Sequence, residues 1–318
     1  MAYDLSGKLV VAVASSALFD LTEADHVFQT EGESAYRAYQ RKHETKILEP
    51  GVVYPLIKRL LALNDENEQS IEVVLFSRND PDTGLRVFNS IEHYGLAISR
   101  AIFVAGKNPF KYLEAFNASL FLSGNKADVK EAIEHGLPAG YVKSTNYIDD
   151  ETDDELRIAF DFDAVLVDDS SEKVYQEKGL EAYQEHELAY GSIPMNEGPL
   201  HQFLTGLSKI QQAELAKKDK DEQYEPKIRI AVCTARNAPA HKRVVTTLRE
   251  WNIRVDEAFF LGGMNKGQVL EVYRPHIFFD DQVKNIQSIS DKFPSVHIPY
   301  GIAAEIEEGS EQQKKRDD

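Results

Sequence analysis

The sequence LRIAFDFDAVLVDD, residues 156–169, decides the fold. Its first five residues are rich in β-forming side chains, which is typical of a buried strand. Asp161 and Asp163 follow where that strand should end, and residues two apart in extended backbone point to the same side. Between two apolar runs these carboxylates are costly to desolvate unless they bind something, and Mg²⁺ prefers such oxygen ligands. The alternative interpretation is a pair of strand-end acids that face water.

Composition limits the class of protein. The chain has 318 residues, enough for two domains, and its net charge of -17 argues against nucleic-acid binding by a broad basic surface. An anionic substrate would need a local positive site such as a metal or a lysine. The one cysteine, Cys233, excludes an intramolecular disulfide and indicates a reducing compartment. No apolar run is long enough to span a bilayer, so we expect a cytoplasmic protein with no membrane partner.

Segments typical of strands and of helices alternate along the chain, which predicts parallel sheets with helices on both faces. The first round of this pattern covers residues 1–145 and includes a helix predicted over residues 109–116. The acidic segment NYIDDETDDE, residues 146–155, lacks apolar periodicity and is interpreted as a linker. The pattern then starts again over residues 156–305. A charged tail, residues 306–318, is expected to be disordered.

The two rounds can be aligned with each other, which indicates an internal duplication. The strand end at Ser77 matches the one at Thr234 at an offset of 157 residues, and the next predicted strand keeps that offset. The helical stretch EGESAY at residues 31–36 resembles KGLEAY at residues 178–183. We therefore predict two Rossmann-like α/β domains with parallel sheets and a common origin.

This alignment isolates a set of charges that only the second round carries. Asp161, Asp163, Lys266, Asp280 and Asp281 align with Val13, Ser15, Pro109, Ser123 and Gly124, respectively. The fold does not require these charges, because the first round lacks them, and a functional role in the second round is therefore favoured. Thr234 is less informative, since Ser77 also carries a hydroxyl.

The charged residues follow the ends of predicted strands, where open α/β sheets form their ligand crevice. The carboxylates of Asp161, Asp163, Asp280 and Asp281 are therefore candidate ligands of Mg²⁺. An oxygen of Asp161 can attack phosphorus and form an aspartyl-phosphate. Asp163 can protonate the leaving alcohol and then deprotonate the water that hydrolyses the intermediate.

Four further residues are candidates for binding the phosphoryl group. The Thr234 hydroxyl, the backbone N–H of Ala235 and the Lys266 ammonium can bind phosphoryl oxygens, and such charge neutralisation is most of what phosphoryl transfer requires. For Arg236 two interpretations stay open: a contact with the phosphate, or a pair with an acid on the surface.

The motifs DFDAVL, CTAR, NKG and FFDDQ together resemble those of the haloacid dehalogenase-like phosphohydrolases. With SSALFD, EGPL and RPHIFFDDQ, residues 9–301 are more closely similar to the cytosolic 5'-nucleotidases of type I. This resemblance implies a magnesium-dependent enzyme that hydrolyses nucleoside 5'-monophosphates, usually AMP, with Asp161 as nucleophile and Asp163 as acid/base. Two residues depart from the pattern: Val165 stands where many members have Thr, and Phe162 where we expect glycine.

Recognition of the nucleoside is assigned to a helical cap insertion at about residues 168–196. Phe162, Tyr175, Tyr183 and Tyr190 are candidates for stacking on a base, and the alternative is that they pack the cap onto the core. The first domain would shape the nucleoside pocket, bind a regulatory nucleotide, or form the subunit interface of a homo-oligomer. Two rival functions remain: a phosphatase of another small phosphomonoester such as a sugar phosphate, and a nucleotide-binding regulatory protein.

Overall fold

A computed structural model describes residues 3–65 and 69–304 of the chain. The chain divides into two compact units, Met1–Ser144 and Thr145–Asp318. Residues 146–155, the predicted linker, are all described and contain neither helix nor strand. The predicted disordered tail, residues 306–318, lies outside the described residues. Within the described parts, the helices are all too short or too polar to cross a membrane.

The first unit is built on a parallel sheet. Its strands are β1 (Leu9–Ala14), β2 (Ile71–Ser77), β3 (Arg100–Phe103), β4 (Leu120–Ser123) and β5 (Ala139–Lys143), in the spatial order β3-β2-β1-β4-β5. Its α-helices are α1 (Ser15–Leu18), α2 (Thr22–Lys42), α3 (Tyr54–Ala62), α4 (Leu85–His93) and α5 (Lys126–Glu134). Every residue of β1 and β2 is buried, which explains the apolar runs over residues 9–14 and 73–76.

The second unit has the same architecture. Its strands are β6 (Leu156–Phe160), β7 (Ile228–Thr234), β8 (Glu257–Phe260), β9 (Ile277–Asp280) and β10 (Ser295–His297), in the parallel order β8-β7-β6-β9-β10. Its α-helices are α6 (Ser170–Ala189), α7 (His201–Lys218), α8 (His241–Glu250), α9 (Lys266–Tyr273) and α10 (Val283–Ile289). Counted along the chain, the described strands of each unit are arranged 3-2-1-4-5.

The prediction of one helix over residues 109–116 is wrong. Two short 3-10 helices, Phe110–Tyr112 and Glu114–Phe116, lie there instead. Aromatic residues are weak helix formers, and Asn117 ends the segment in the left-handed conformation with φ of 50°. The ring of Phe116 packs edge-to-face on Phe76, with 5.5 Å between the ring centroids, so the segment covers the sheet without a full α-helix.

Both α2 and α6 contain a kink at a glycine. Gly32 has a φ of 83° and Gly179 a φ of 81°, a region of backbone space that glycine adopts without steric cost. These residues occupy the same place in the two helical stretches EGESAY and KGLEAY, which were aligned from the sequence. The break in the helix is therefore a property of both units.

The glycine of the EGPL motif is required by a close approach of two backbones. A Cβ atom on Gly198 would lie 2.3 Å from the carbonyl oxygen of Val167. The backbone N–H of Gly198 donates a hydrogen bond to the carbonyl oxygen of Leu166 at 2.9 Å. In the first unit Gly51 is packed in the same way, with 2.7 Å between its hypothetical Cβ and the carbonyl oxygen of Ala17. In both units this contact fixes the turn that follows the first strand.

We expect Gly198→Ala to destabilise the protein, because the new methyl group can fit only if backbone atoms move. The cost should be about 1–3 kcal/mol, as for other overpacked sites. The urea midpoint followed by circular dichroism should fall, whereas Ser192→Ala, in the exposed loop before the motif, should leave the midpoint nearly unchanged. Equal midpoints for Gly198→Ala and the parent protein would contradict this account.

Candidate active site

Charged side chains from three segments of the second unit meet at the carboxyl ends of β6 and β9. Asp161 directly follows β6, Asp280 is the last residue of β9, and Lys266 is the first residue of α9. The Lys266 Nζ atom lies 2.7 Å from Asp161 Oδ2 and 2.6 Å from Asp280 Oδ2. All three side chains are buried, so the ammonium group is shared between two carboxylates away from bulk water.

The NKG motif explains how Lys266 reaches this position. The side chain of Asn265 caps α9 by accepting a hydrogen bond from the backbone N–H of Gly267 at 2.7 Å. A Cβ atom on Gly267 would lie 3.0 Å from the Asn265 side-chain oxygen and 3.1 Å from Ile289, so a larger residue would crowd the cap. The cap fixes the first turn of α9 and with it the direction of the lysine.

Burial dominates the electrostatics of this group. Burial raises the pKa of Asp161 to about 7, against the opposing charge of Lys266 and with the help of the neighbouring carboxylate of Asp280. Burial, together with Asp280 and Asp161, also raises the pKa of Asp281 well above its usual value. Burial alone would lower the pKa of Lys266, but the two carboxylates outweigh it and raise that pKa. The single ammonium group of Lys266 therefore does not balance the negative charge of the three carboxylates.

Three of the predicted metal ligands form a group that suits a divalent cation. Carboxylate oxygens of Asp161, Asp280 and Asp281 all lie within 4.8 Å of one another. The Oδ1 atom of Asp281 is buried and has no hydrogen-bond partner among the described residues, which is costly unless a ligand satisfies it. Carboxylate oxygens suit hard divalent cations such as Mg²⁺ or Ca²⁺. The side chain of Asp163, the fourth predicted ligand, lies outside this group.

Asn285 orients Asp280 and was not found from the sequence. Its Nδ2 atom donates to both carboxylate oxygens of Asp280 at 3.1 Å, while the backbone N–H of Gln282 donates to Oδ1 at 2.8 Å. Asn285 aligns at the offset of 157 with Asp128, and nothing in a single asparagine near a motif indicates this role. The contact holds Asp280 in place independently of the lysine.

A tight turn carries Asp163 away from the acidic cluster. Ala164 has a φ of 57°, and the backbone N–H groups of Leu166 and Val167 both donate to the carbonyl of Phe162, at 3.0 and 3.1 Å. This left-handed conformation is uncommon for a residue with a side chain. The Asp163 side chain, 22% exposed, consequently reaches the edge of a neighbouring cavity.

Arg236 binds Asp163 with both arms of its guanidinium group. The Nε atom lies 2.8 Å from Asp163 Oδ2, and Nη2 lies 2.6 Å from Oδ1. Such bidentate pairs fix the orientation of a carboxylate. Arg236 therefore pairs with an acid, as one of the two sequence interpretations held, but it is only 3% exposed and lies inside the protein rather than on its surface.

Glu187, a residue missed in the sequence, joins Arg236 to a second arginine. This fully buried carboxylate contacts Arg236, lies 3.0 Å from Arg243 Nη1, and accepts a hydrogen bond from the Ser171 hydroxyl at 2.7 Å. Burial raises the pKa of Glu187, but the charge of Arg236 and these hydrogen bonds outweigh burial and lower it. In the sequence Glu187 is one acid among several in a polar helical stretch, and it is far along the chain from both arginines, so nothing indicated this contact.

We expect Glu187→Gln to destabilise the second unit strongly, because it leaves two buried guanidinium groups without their shared carboxylate. Removing one partner of a buried ion pair typically costs about 3–5 kcal/mol. The urea midpoint should therefore fall well below that of Glu185→Gln, a neutralisation at an exposed position of the same helix. Matching midpoints for the two variants would show that the buried network contributes nothing to stability.

A cavity of 610 Å³ opens beside Asp163 and Arg236, and Ala235 also lines it. Tyr175, 43% exposed, and Tyr183 form an edge-to-face pair in its wall, with 6.1 Å between ring centroids.

The other predicted contacts lie elsewhere. Phe162 is fully buried and has no face exposed for stacking, while the ring of Tyr190 stacks on His186, 4.5 Å away. Thr234, also buried, accepts a hydrogen bond from the Arg236 backbone N–H at 3.1 Å. Of the four aromatic candidates, Tyr175 and Tyr183 are therefore the ones in the wall of the cavity.

The second unit is thus a parallel α/β domain with acids and a lysine gathered at its strand ends, as the resemblance to the haloacid dehalogenase-like phosphohydrolases implied. A family model described as 5'-nucleotidase matches residues 1–305, and the chain belongs to this family. The chain is 35% identical over 291 residues to human cytosolic 5'-nucleotidase 1B, an alignment that covers 88% of this chain and 47% of the human protein. The chain thus spans about half the length of this relative.

Proposed function

We propose that the second unit hydrolyses nucleoside 5'-monophosphates of the AMP type, with Mg²⁺, through an aspartyl-phosphate on Asp161. The observation that carries the proposal is the contact of Lys266 with both Asp161 and Asp280. These side chains lie in the same cluster as an Asp281 oxygen that has no partner among the described residues. Membership in the 5'-nucleotidase family and the name of the human relative support a nucleotide monophosphate as substrate.

The proposed metal site consists of Asp161, Asp280 and Asp281. Their oxygens are close enough together to share one cation, and Asn285 already orients Asp280 for that purpose. When bound there, Mg²⁺ supplies positive charge that neutralises the carboxylates and the phosphoryl oxygens. In this proposal the side chain of Asp163 is not a metal ligand, because Arg236 binds both of its oxygens.

The chemical steps are assigned to residues of the chain itself. An Asp161 oxygen attacks phosphorus, the bond from phosphorus to the 5'-oxygen breaks, and Asp163 gives its proton to that oxygen as the nucleoside leaves. Water then attacks phosphorus and gives a proton to Asp163. The bond from phosphorus to the Asp161 oxygen breaks, so phosphate leaves and the Asp161 carboxylate is restored. Lys266, the Thr234 hydroxyl and the Ala235 N–H bind phosphoryl oxygens during both steps.

Arg236 acts in this proposal as a positioning residue. Its two hydrogen bonds fix the Asp163 carboxylate at the edge of the cavity, where the leaving oxygen would lie. A carboxylate oxygen has two lone pairs, so one hydrogen bond to each oxygen leaves a place for the transferred proton. The buried Glu187 holds the guanidinium group from its other side.

We assign the nucleoside to the 610 Å³ cavity, with its base against the pair Tyr175 and Tyr183. The volume lies within the usual range of about 300–1,000 Å³ for small-molecule sites. Both tyrosines belong to α6, and in this proposal that helix acts as the cap that excludes water from the reacting phosphorus.

We further propose that residues 1–145 are a degenerate copy of the catalytic domain, residues 156–305. Besides the shared strand order, a buried contact recurs: Arg86 donates to Gln40 at 3.3 Å, and the aligned Arg243 donates to the aligned Glu187 at 3.0 Å. A cytoplasmic location is proposed from the single cysteine and from the cytosolic relative. Neither the origin of the first unit nor the location of the protein alters the proposed steps of phosphate release.

The test is release of inorganic phosphate from a panel of nucleoside monophosphates and sugar phosphates, with Mg²⁺ and with a chelator. The proposal predicts release from nucleotides that depends on Mg²⁺. Release mainly from sugar phosphates would keep the chemistry and refute the substrate. Tight binding of AMP without any release would instead support a nucleotide-binding regulatory protein.

A further inference from the structure

The first unit contains a cavity of its own, with a volume of 410 Å³. It lies at the carboxyl ends of β2, β3 and β4, and α2 forms one wall. The lining residues that matter below are Phe28, Tyr36, Arg78 and Asn79. Because these positions align with residues around the catalytic cavity, the first unit keeps a pocket where the second unit has its candidate active site.

The aromatic wall is common to the two cavities. Phe28 and Tyr36 form an edge-to-face pair, with 5.7 Å between ring centroids and an interplanar angle of 86°. The aligned pair Tyr175 and Tyr183 has 6.1 Å and 82°. Phe28 is 52% exposed although it is a large apolar ring, so its face is available to a ligand. Exposed aromatic faces of this kind bind flat rings by stacking.

The charges that would bind a phosphoryl group are missing from the first cavity. The positions of Asp161 and Lys266 are occupied by Val13 and Pro109, and the acidic pair of the second unit by Ser123 and Gly124. Among the described lining residues are three acids, Asp25, Glu33 and Asp80, and two arginines. Arg37 contacts Asp80, and Arg78 lies 3.0 Å from the Asp128 carboxylate. The positive charge of each arginine is therefore already paired with a carboxylate. This lining disfavours a phosphate dianion.

One residue of the cavity lining, Asn79, carries an unpartnered hydrogen-bond donor among the described residues. The side-chain oxygen of Asn79 accepts a hydrogen bond from the Tyr36 hydroxyl at 2.8 Å, but its Nδ2 atom is buried and has no acceptor among the described residues. Leaving such a donor unsatisfied costs about 1–3 kcal/mol. A ligand that offers an acceptor to this group, such as a ring nitrogen or a carbonyl oxygen, would remove that cost, whereas a simple cation would not.

We propose that the first-unit cavity binds an uncharged nucleoside, with its base on Phe28 and Tyr36 and an acceptor of the base on Asn79. The stacking wall, the unpartnered donor and the neutralised arginines carry this inference within the first unit. Only the identity of the nucleoside as the product of the second unit rests on the proposed function. The chain would then hold two sites of common design, one for the nucleotide and one for the nucleoside alone.

The test is calorimetric titration of the full chain with adenosine, with AMP in the absence of Mg²⁺, and with inorganic phosphate. Adenosine should bind in two events, and Phe28→Ala should weaken one of them by about tenfold or more, in line with the usual strength of base stacking. Asn79→Asp, which keeps the acceptor for Tyr36 and removes the donor, should weaken the same event. Tyr112→Ala, at an exposed aromatic of the same unit, should change neither.

The outcomes separate this inference from the proposed function. A single adenosine event that Tyr175→Ala abolishes and Phe28→Ala leaves unchanged would overturn the inference. Tighter binding of AMP or phosphate than of adenosine at the event sensitive to Phe28→Ala would also overturn it. Phosphate release by Phe28→Ala should equal that of the parent protein. A Phe28-dependent adenosine event in a protein that releases no phosphate would support the inference and refute the proposed function.

Discussion

Asp161→Asn should abolish phosphate release from AMP while the protein stays folded. The amide has nearly the shape of the carboxylate but is not a nucleophile, so the covalent step is lost. Loss of a nucleophile typically lowers kcat by about 10⁴–10⁶-fold. Initial rates at saturating AMP and Mg²⁺, with circular dichroism as a check of folding, would measure the effect.

The control for this variant comes from the first unit. Ser15 aligns with Asp163, but it belongs to the first unit, where its hydroxyl shares a hydrogen bond with the Ser77 hydroxyl at 3.0 Å. Ser15→Ala should therefore leave kcat nearly unchanged. Comparable losses of rate in Asp161→Asn and Ser15→Ala, with both variants folded, would refute the assignment of catalysis to the second unit alone.

Asp163→Asn should show the second-largest effect, and the loss should depend on the leaving group. Proton transfer by a positioned side chain contributes about 10²–10⁴-fold, so turnover of AMP should fall by that factor. An aryl phosphate such as p-nitrophenyl phosphate needs no protonation of its leaving group. Single-turnover rates of its first step should therefore fall much less than those for AMP.

Asp168→Asn provides a matched neutralisation five residues further along the chain. Asp168 accepts hydrogen bonds from Ser170 and Asn196 and lies outside the acidic cluster, so its loss should spare the chemical step. Equal losses for AMP and for the aryl phosphate in Asp163→Asn would contradict the role of Asp163 as general acid. The variant would then be explained by the loss of its pair with Arg236.

The alternation of elements and the strand-end charges were predictable because they are local patterns. Helix α9, Lys266–Tyr273, begins directly after Asn265, and a capping residue of this kind is a local signal for the start of a helix. The meeting of Lys266 with Asp161 and Asp280 follows from parallel strands whose carboxyl ends share an edge. Pattern and topology together were sufficient for this part of the candidate site.

Two elements were missed although the internal alignment contained the signal for them. Strand β5, Ala139–Lys143, is short, but the offset of 157 places its start on strand β10, Ser295–His297. Helix α10, Val283–Ile289, lies at the same offset from α5. Weak local propensity hid both elements, and they could have been predicted by copying each element from one half onto the other.

The buried network of Glu187 could not be predicted, because it depends on tertiary contacts without a local pattern. Arg236 was known only as a cation after a strand, and its partners come from a loop and from a helix elsewhere in the chain. The burial of Phe162 is a similar case. Its position between two acids suggested a ligand contact, whereas the tight turn at Ala164 directs Asp163 outward and leaves Phe162 inside.

The most direct test of the account is to find the phosphoryl group on the protein. Asp163→Asn, in which breakdown of the intermediate should be slow, is mixed with p-nitrophenyl phosphate and Mg²⁺, because this substrate should still form the intermediate without a general acid. The sample is then quenched with acid, digested, and analysed by mass spectrometry. The account predicts a phosphoryl group on the peptide that contains Asp161, and its absence in the double variant that also carries Asp161→Asn. A phosphoryl group on another residue, or undiminished phosphate release with Asp161 unmodified, would contradict it.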